Sequence, residues 1–130
     1  MSDHLNEITR ITIASAIEVH HELGPGLLEH AYEACLTFEL LNRGLRIERQ
    51  KALPIFYKGQ RVDYGYRMDL LVEDSVIVEV KSIEKLERVH SAQLLSYLRF
   101  VERQVGLLFN FNVKWLVQDG LKRVVNGFQE

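Results

Sequence analysis

Three residues carry the clearest chemical signal in the chain: Asp69, Glu79 and Lys81. They fall in two apolar runs, Tyr66-Arg67-Met68-Asp69-Leu70-Leu71-Val72 and Val76-Ile77-Val78-Glu79-Val80-Lys81, separated by Glu73-Asp74-Ser75. Each run alternates in the manner of a β-strand, and the intervening residues suit a turn. One face collects Met68, Leu70, Val72, Val76, Val78 and Val80 and is expected on the core. The other collects Arg67, Asp69, Leu71, Ile77, Glu79 and Lys81. A three-residue turn sets Asp69 opposite Glu79 and Arg67 opposite Lys81, whereas a two-residue turn sets Asp69 opposite Val78. The first register is the one expected here. Like charges then face one another, which a merely solvated hairpin face would disfavour. Two carboxylates about 5 Å apart repel by roughly 3 kcal/mol at moderate dielectric, so a shared proton or a divalent cation must offset them. Paired carboxylates hold Mg²⁺ or Mn²⁺ through hard oxygens. Such an ion lowers the pKa of bound water and neutralises charge on a scissile phosphate. Lys81, two residues after Glu79, shares its face and is placed to orient a nucleophile or stabilise developing charge.

These residues need a scaffold, and the rest of the chain supplies its outline. Ile8, Ile11, Val19 and Leu23 recur near helical spacing over about Glu7–Leu23, with Asn6 as N-cap and Gly24-Pro25-Gly26 as the stop. A second helix is predicted over about Leu27–Arg43, closed by Gly44 in the left-handed region. From Leu45 the period becomes that of strands. Lys58-Gly59 reads as a hairpin turn between about 52–57 and 60–66, ahead of the strands 66–72 and 76–81. A third helix spans about Glu87–Arg103, and Val105–Phe111 is a buried strand. Trp115–Val125 is expected to form a terminal hairpin turning at Asp119-Gly120. This run of helices and strands is that of an α/β protein with a central mixed β-sheet flanked by helices.

The 130 residues suit one domain, 1–130, large enough to bury a core without disulfides or structural metal. A composition of 47% hydrophobic and 26% charged residues excludes disordered and fibrous classes. The lone Cys35, expected in the core, fits a reducing compartment. With no long apolar run and no signal-peptide pattern, a cytoplasmic protein without membrane association is expected. The net charge of −2 conceals an asymmetry: residues 1–44 hold seven acids and two bases, residues 45–130 eleven acids and fourteen bases. Over 45–67, Arg46, Arg49, Lys51, Lys58, Arg61 and Arg67 face only Glu48 and Asp63. This stripe is either a local nucleic-acid contact or a set of solvated strand faces.

The spacing of Asp69, nine residues, then Glu79-Val80-Lys81 resembles the PD-(D/E)xK nuclease superfamily, although Met68 stands where a proline usually precedes the aspartate. Val19-His20 and Leu23-Gly24-Pro25-Gly26-Leu27-Leu28-Glu29-His30-Ala31-Tyr32 look like the signature of the GxxExxY family within it. That likeness runs through Gly26, Glu29 and Tyr32 to Leu108-Phe109-Asn110-Phe111. It implies a restriction-endonuclease-like core and a metal site of Asp69 and Glu79, with Glu29 as a further ligand from the second helix. Glu29 lies on the helical line of Leu36 and Leu40, consistent with that role or with a first-turn residue favoured by the helix dipole. Glu39 also falls in the apolar arc, without an assigned role. Gln93-Leu94-Leu95-Ser96-Tyr97 is similar to the QxxxY motif of exonuclease-type members, which implies a catalytic place for Gln93 and a nucleic-acid contact for Tyr97, unless both serve packing. His90 shares their helical face. Arg61, Arg67, His20 and Tyr32 complete the candidate nucleic-acid contacts; His20 is equally compatible with a structural role.

The resulting expectation is a nuclease using Mg²⁺ (or Mn²⁺) to hydrolyse DNA, or RNA, with Asp69, Glu79, Lys81, Glu29 and Gln93 as its machinery. The alternative is a catalytically silent nucleic-acid-binding or protein-interaction module that keeps the fold. A homodimer or a partner protein is the expected assembly.

Overall fold

A computed structural model describes residues 2–127. Helix α1, Asp3–Leu23, starts a turn earlier than the periodicity indicates, because Ser2 caps it: its Oγ accepts the Leu5 N–H at 3.1 Å. Helix α2 spans Glu29–Asn42. Gly44 closes it at φ 85°, and the Leu45 N–H reaches back to the Leu40 carbonyl at 3.1 Å.

Strands β1 (Ile47–Ala52), β2 (Ile55–Tyr57), β3 (Gln60–Val62), β4 (Arg67–Val72) and β5 (Val76–Lys81) follow, then helix α3 (Arg88–Val101), β6 (Val105–Asn110) and β7 (Leu121–Val125). Among the described residues one five-stranded sheet runs in the order β1-β4-β5-β6-β7. Its pairs are antiparallel except β5–β6, which are parallel and joined through α3. The fold is α/β, a mixed sheet with flanking helices, as expected. Strands β2 and β3 form a ribbon of their own, turning at Lys58-Gly59, both at positive φ.

Strand β1 falls where strands are expected from Leu45 on, but the sequence pattern sets no bounds for it. Its sequence, Ile47-Glu48-Arg49-Gln50-Lys51-Ala52, is almost wholly polar because it lies at the sheet edge, so hydrophobic periodicity is silent there. The expected terminal hairpin is also corrected. Leu116–Gly120 form a π-helical turn, and the following β7 pairs with β6. Gly120 serves close approach rather than a turn, since a Cβ there would lie 2.2 Å from the Asn110 carbonyl oxygen.

The sheet is buried on both faces. Leu70, Val72, Val76, Val78 and Val80 pack with Leu107 and Phe109 beneath α1 and α2. Leu71 and Ile77, expected on the charged face, instead join Leu94, Tyr97 and Leu98 of α3. Met68 joins this second cluster too, not the one that holds Leu70. Strand alternation therefore breaks between Met68 and Leu70, at Asp69.

Loops around the C-terminal ends of β5 and β6 are pinned from inside. The buried Tyr32 ring stacks on Phe111 at 4.6 Å; its hydroxyl donates to the Gly24 carbonyl at 2.6 Å and accepts the Leu27 N–H at 3.1 Å. Buried Asn110 accepts the Ile83 N–H and donates to the Ile83 carbonyl, both at 3.0 Å, fixing the chain just after Lys81. Gly120→Ala is expected to cost about 3 kcal/mol in urea unfolding, the upper end for overpacking. Gly106→Ala should cost less, because the nearest atoms to its new Cβ belong to the Leu94 side chain rather than to backbone. An unchanged midpoint for Gly120→Ala contradicts the close approach.

Candidate active site at the opening between strands 4 and 5

The β4–β5 ladder pairs Val72 with Val76, Leu71 with Ile77 and Leu70 with Val78. Glu73 and Asp74 take positive φ in the turn, and the Ser75 N–H donates to the Val72 carbonyl at 2.9 Å. This is the three-residue register, and its next step brings Asp69 against Glu79. There the ladder stops, because side chains replace carbonyls as acceptors. The Asp69 N–H donates to Glu79 Oε2 at 3.0 Å, and the Val80 N–H donates to Asp69 Oδ2 at 2.8 Å. Both carboxylates therefore occupy the gap between the strands. On the other side of β4 the β1 pairing also lapses, between Arg49–Leu70 and Lys51–Met68, where Gln50 takes φ 50°. Asp69 thus sits at a place where β4 is released from both neighbours, and here the strand changes face.

A third acid reaches this opening from α2. Buried Glu33 accepts from Arg49 Nε and Nη2 at 3.1 and 3.0 Å and from Gln50 Nε2 at 2.7 Å. The same Gln50 amide donates to Asp69 Oδ1 at 3.2 Å, bridging the two acids. Arg49 balances Glu33, and among the described residues neither Asp69 nor Glu79 forms an ion pair. Burial, then the charge of Asp69, pushes the Glu79 carboxyl up to about 8, although the Asp69 N–H and Lys81 oppose this. Asp69 is raised as well, chiefly by burial and then by Glu33, against the pull of the Val80 N–H. Lys81 ends β5 half-buried and forms no ion pair with either acid, but its charge favours ionisation of both.

The remaining expected residues disperse around this centre. Glu29 is exposed at the start of α2, where its Oε2 accepts the Ser82 N–H at 3.4 Å, one residue beyond Lys81. It does not border the buried arc; Glu33, one turn further on, does. Among the described residues no three His, Cys, Asp or Glu side chains converge as a metal-ligand set. Glu39, the unassigned acid, pairs with Arg43 at 3.7 Å. Tyr97 is buried beside the pair, its phenol pushed up to about 12 by burial and by Glu79. Gln93 lines a cleft of about 240 Å³ with Tyr66 and Tyr97 rather than touching the acids. His90 is a helix cap, its Nδ1 accepting the Glu87 N–H at 2.8 Å. Arg67 donates to the Gln50 carbonyl at 2.9 Å, and Arg61 pairs with Asp63 at 2.8 Å on the β2–β3 ribbon. His20 bonds the Val113 carbonyl through Nε2 at 2.7 Å, away from the acids. Tyr32, stacked and doubly hydrogen-bonded inside the fold, has no open face for a base and holds the Gly24–Leu27 loop instead.

Sequence reasoning missed Glu33, Arg49 and Gln50. Glu33 had a signal, since it lies seven residues before Leu40 and so shares its helical line. Arg49 was visible only as one cation of the basic stripe over 45–67, and Gln50 had no signal, because their strand is almost wholly polar.

A mixed sheet opened at its antiparallel centre around two carboxylates, with a lysine two residues beyond the second, defines an α/β nuclease-type domain. Residues 6–124 match the PD-(D/E)XK nuclease superfamily, and the chain belongs to it. No curated protein and no solved structure matches the chain. No helix among the described residues is long and apolar enough to cross a membrane.

The raised Glu79 pKa has a definite sign. A carboxyl at 4.5 when unfolded and about 8 when folded adds stability that is full below 4.5 and lost as pH rises through about 8. Thermal melts in chelator should therefore fall across this window, by an amount on the order of a few kcal/mol. Glu79→Gln should flatten the fall. A parent profile already flat over that range would contradict the buried pair.

Proposed function

We propose that this protein is a divalent-metal-dependent nuclease that hydrolyses phosphodiester bonds of nucleic acid, with DNA the first substrate to test. The observation that carries the reading is the crossed pair of carboxylates, Asp69 and Glu79, displacing the ladder between β4 and β5. Such displacement places two acids together with, among the described residues, no cation in ion-pair contact, and hard, negatively charged carboxylate oxygens fit Mg²⁺ or Mn²⁺. Magnesium needs only one or two carboxylates when waters and substrate phosphate fill its other positions, so a third protein ligand is not required. Bound there, the ion would supply an activated water and a neutralising charge at the phosphate.

The chain's own residues then divide the work. Asp69 and Glu79 hold the ion, each fixed by a backbone amide of the facing strand. Gln50 orients Asp69, and Glu33 with Arg49 holds Gln50. Lys81, free of either acid, is available to align the attacking water or to meet charge gathering on the phosphate. Asn110 fixes the chain beyond Lys81 and so its position relative to the pair. Glu29 lies at the mouth, where it contacts Ser82 rather than the pair. Its exposed place favours the second reading, a silent binding module that keeps this fold. The narrower likeness to the GxxExxY family, carried by Gly26, Glu29 and Tyr32, belongs to this reading, as do the cytoplasmic assignment and treating 1–130 as one domain.

Purified protein incubated with single- and double-stranded DNA and RNA should cleave one or more of them in Mg²⁺ or Mn²⁺ and none in chelator. Asp69→Asn and Lys81→Ala should each lower the rate by about 100-fold or more, the usual scale for a lost electrostatic group. Nucleic-acid binding with no cleavage in either metal establishes the silent module instead.

A further inference from the structure

The β2–β3 ribbon is unlike the rest of the fold. Residues 56–67 are exposed without a break, including Phe56, Tyr57, Tyr64 and Tyr66. A two-stranded ribbon with large apolar groups in water on both faces is marginal by itself, so these side chains are suited to covering by a partner. Charge narrows the choice of partner. Over 51–67 the chain carries Lys51, Lys58, Arg61 and Arg67 against Asp63 alone. Aromatic faces interleaved with cations are the elements that hold an unpaired nucleic-acid strand.

The arrangement of the rings points the same way. Tyr64 and Tyr66 have centroids 5.9 Å apart, and Tyr66 and Tyr97 6.1 Å apart, with planes inclined by 43° and 53°. Because they are tilted, the rings do not use up one another's faces. Exposure falls along the file from 74% at Tyr64 to 41% at Tyr66 and 7% at Tyr97, the ring whose phenol feels Glu79. The cleft between the ribbon and α3, lined by Tyr66, Gln93, Ser96 and Tyr97, follows this path inward. At its root Arg67 is bonded to Gln50, the residue that bridges Asp69 and Glu33. A line of aromatic rings therefore leads from solvent to the acid pair, with positive charge beside it.

We propose that the β2–β3 ribbon, together with the segment 63–66 that leads from it into β4, is a substrate arm that selects an unpaired nucleic-acid strand. Bases stack on Tyr64 and Tyr66, Lys58 and Arg67 meet the phosphates, and Gln93 faces the base nearest the acids. This deepens the nuclease reading and rests on it for the direction of the strand towards Asp69 and Glu79. A base-paired duplex hides its base faces and gains nothing from the tyrosines.

The test measures anisotropy of fluorescein-labelled oligothymidine, oligouridine and a blunt duplex of equal length, with the full chain in chelator so that binding is read without cleavage. One or both single strands should bind at least about tenfold more tightly than the duplex, a margin that one or two stacked bases supply. Tyr64→Ala should weaken single-strand binding about tenfold while Tyr64→Phe retains it, because the ring and not the hydroxyl does the stacking. Lys58→Ala should lower the salt dependence by about one phosphate contact. Equal binding of duplex and single strand, or no effect of Tyr64→Ala, overturns the proposal. So does sedimentation showing a dimer that Tyr64→Ala dissociates with no change in nucleic-acid binding. Cleavage in Mg²⁺ separates the two readings. Asp69-dependent cutting of duplex and single strand alike rejects the arm and keeps the nuclease, and Tyr64-dependent binding without cutting rejects the nuclease and keeps the arm.

Discussion

At the centre of the sheet two carboxylates do what backbone carbonyls do elsewhere. Asp69 and Glu79 each accept an amide proton from the facing strand, so the ladder is satisfied at the cost of placing two acids together in a region of low dielectric. Opening a strand pair without such substitutes would strand buried N–H groups, at about 1–3 kcal/mol each. The acids therefore have a structural reason to be where they are, and their mutual repulsion is the source of the site's affinity for positive charge. One arrangement both opens the sheet and creates the demand for a cation.

The surrounding fold restricts what the opening can do. Glu33 is also buried, but Arg49 neutralises it, so the unbalanced charge stays with the strand pair. Gln50, forced into the left-handed region, gives up its place in the ladder and uses its side chain to connect α2 to β4. On the far side, Tyr32 and Asn110 hold the loops around the ends of β5 and β6 against the core. The loops on that flank are held by hydrogen bonds and stacking, and the ribbon lies on the other.

Parts of this were legible in the residues. Strand alternation puts Asp69, Glu79 and Lys81 on one face, but the register depended on turn length; once a three-residue turn is taken, the like-charge conflict follows. The helices were legible from their apolar stripes, and Gly44 from its position after one. The break at Asp69 was not, because alternation assumes an unbroken ladder; hence Met68 was assigned to the face of Leu70. The bounds of strand β1 were hidden by its polar edge, and the places of Gln50 and Arg49 with them. Gly120 read as a turn because close backbone approach leaves the same residue in the sequence as a positive φ. Tyr32 belongs to a motif that reads as functional, while its contacts are those of an internal strut. Glu29 and Glu33 were separable only by the actual phase of α2 on the sheet.

The polar outer strands carry a further consequence. Strand β1 shows Glu48, Arg49 and Lys51 at one margin of the sheet, and β7 shows Lys122 and Arg123 at the other. Charged margins resist pairing with another chain's backbone, which protects a two-sided apolar sheet from edge-to-edge aggregation. They also disfavour joining of copies into one continuous sheet and leave helical and ribbon surfaces for any self-association.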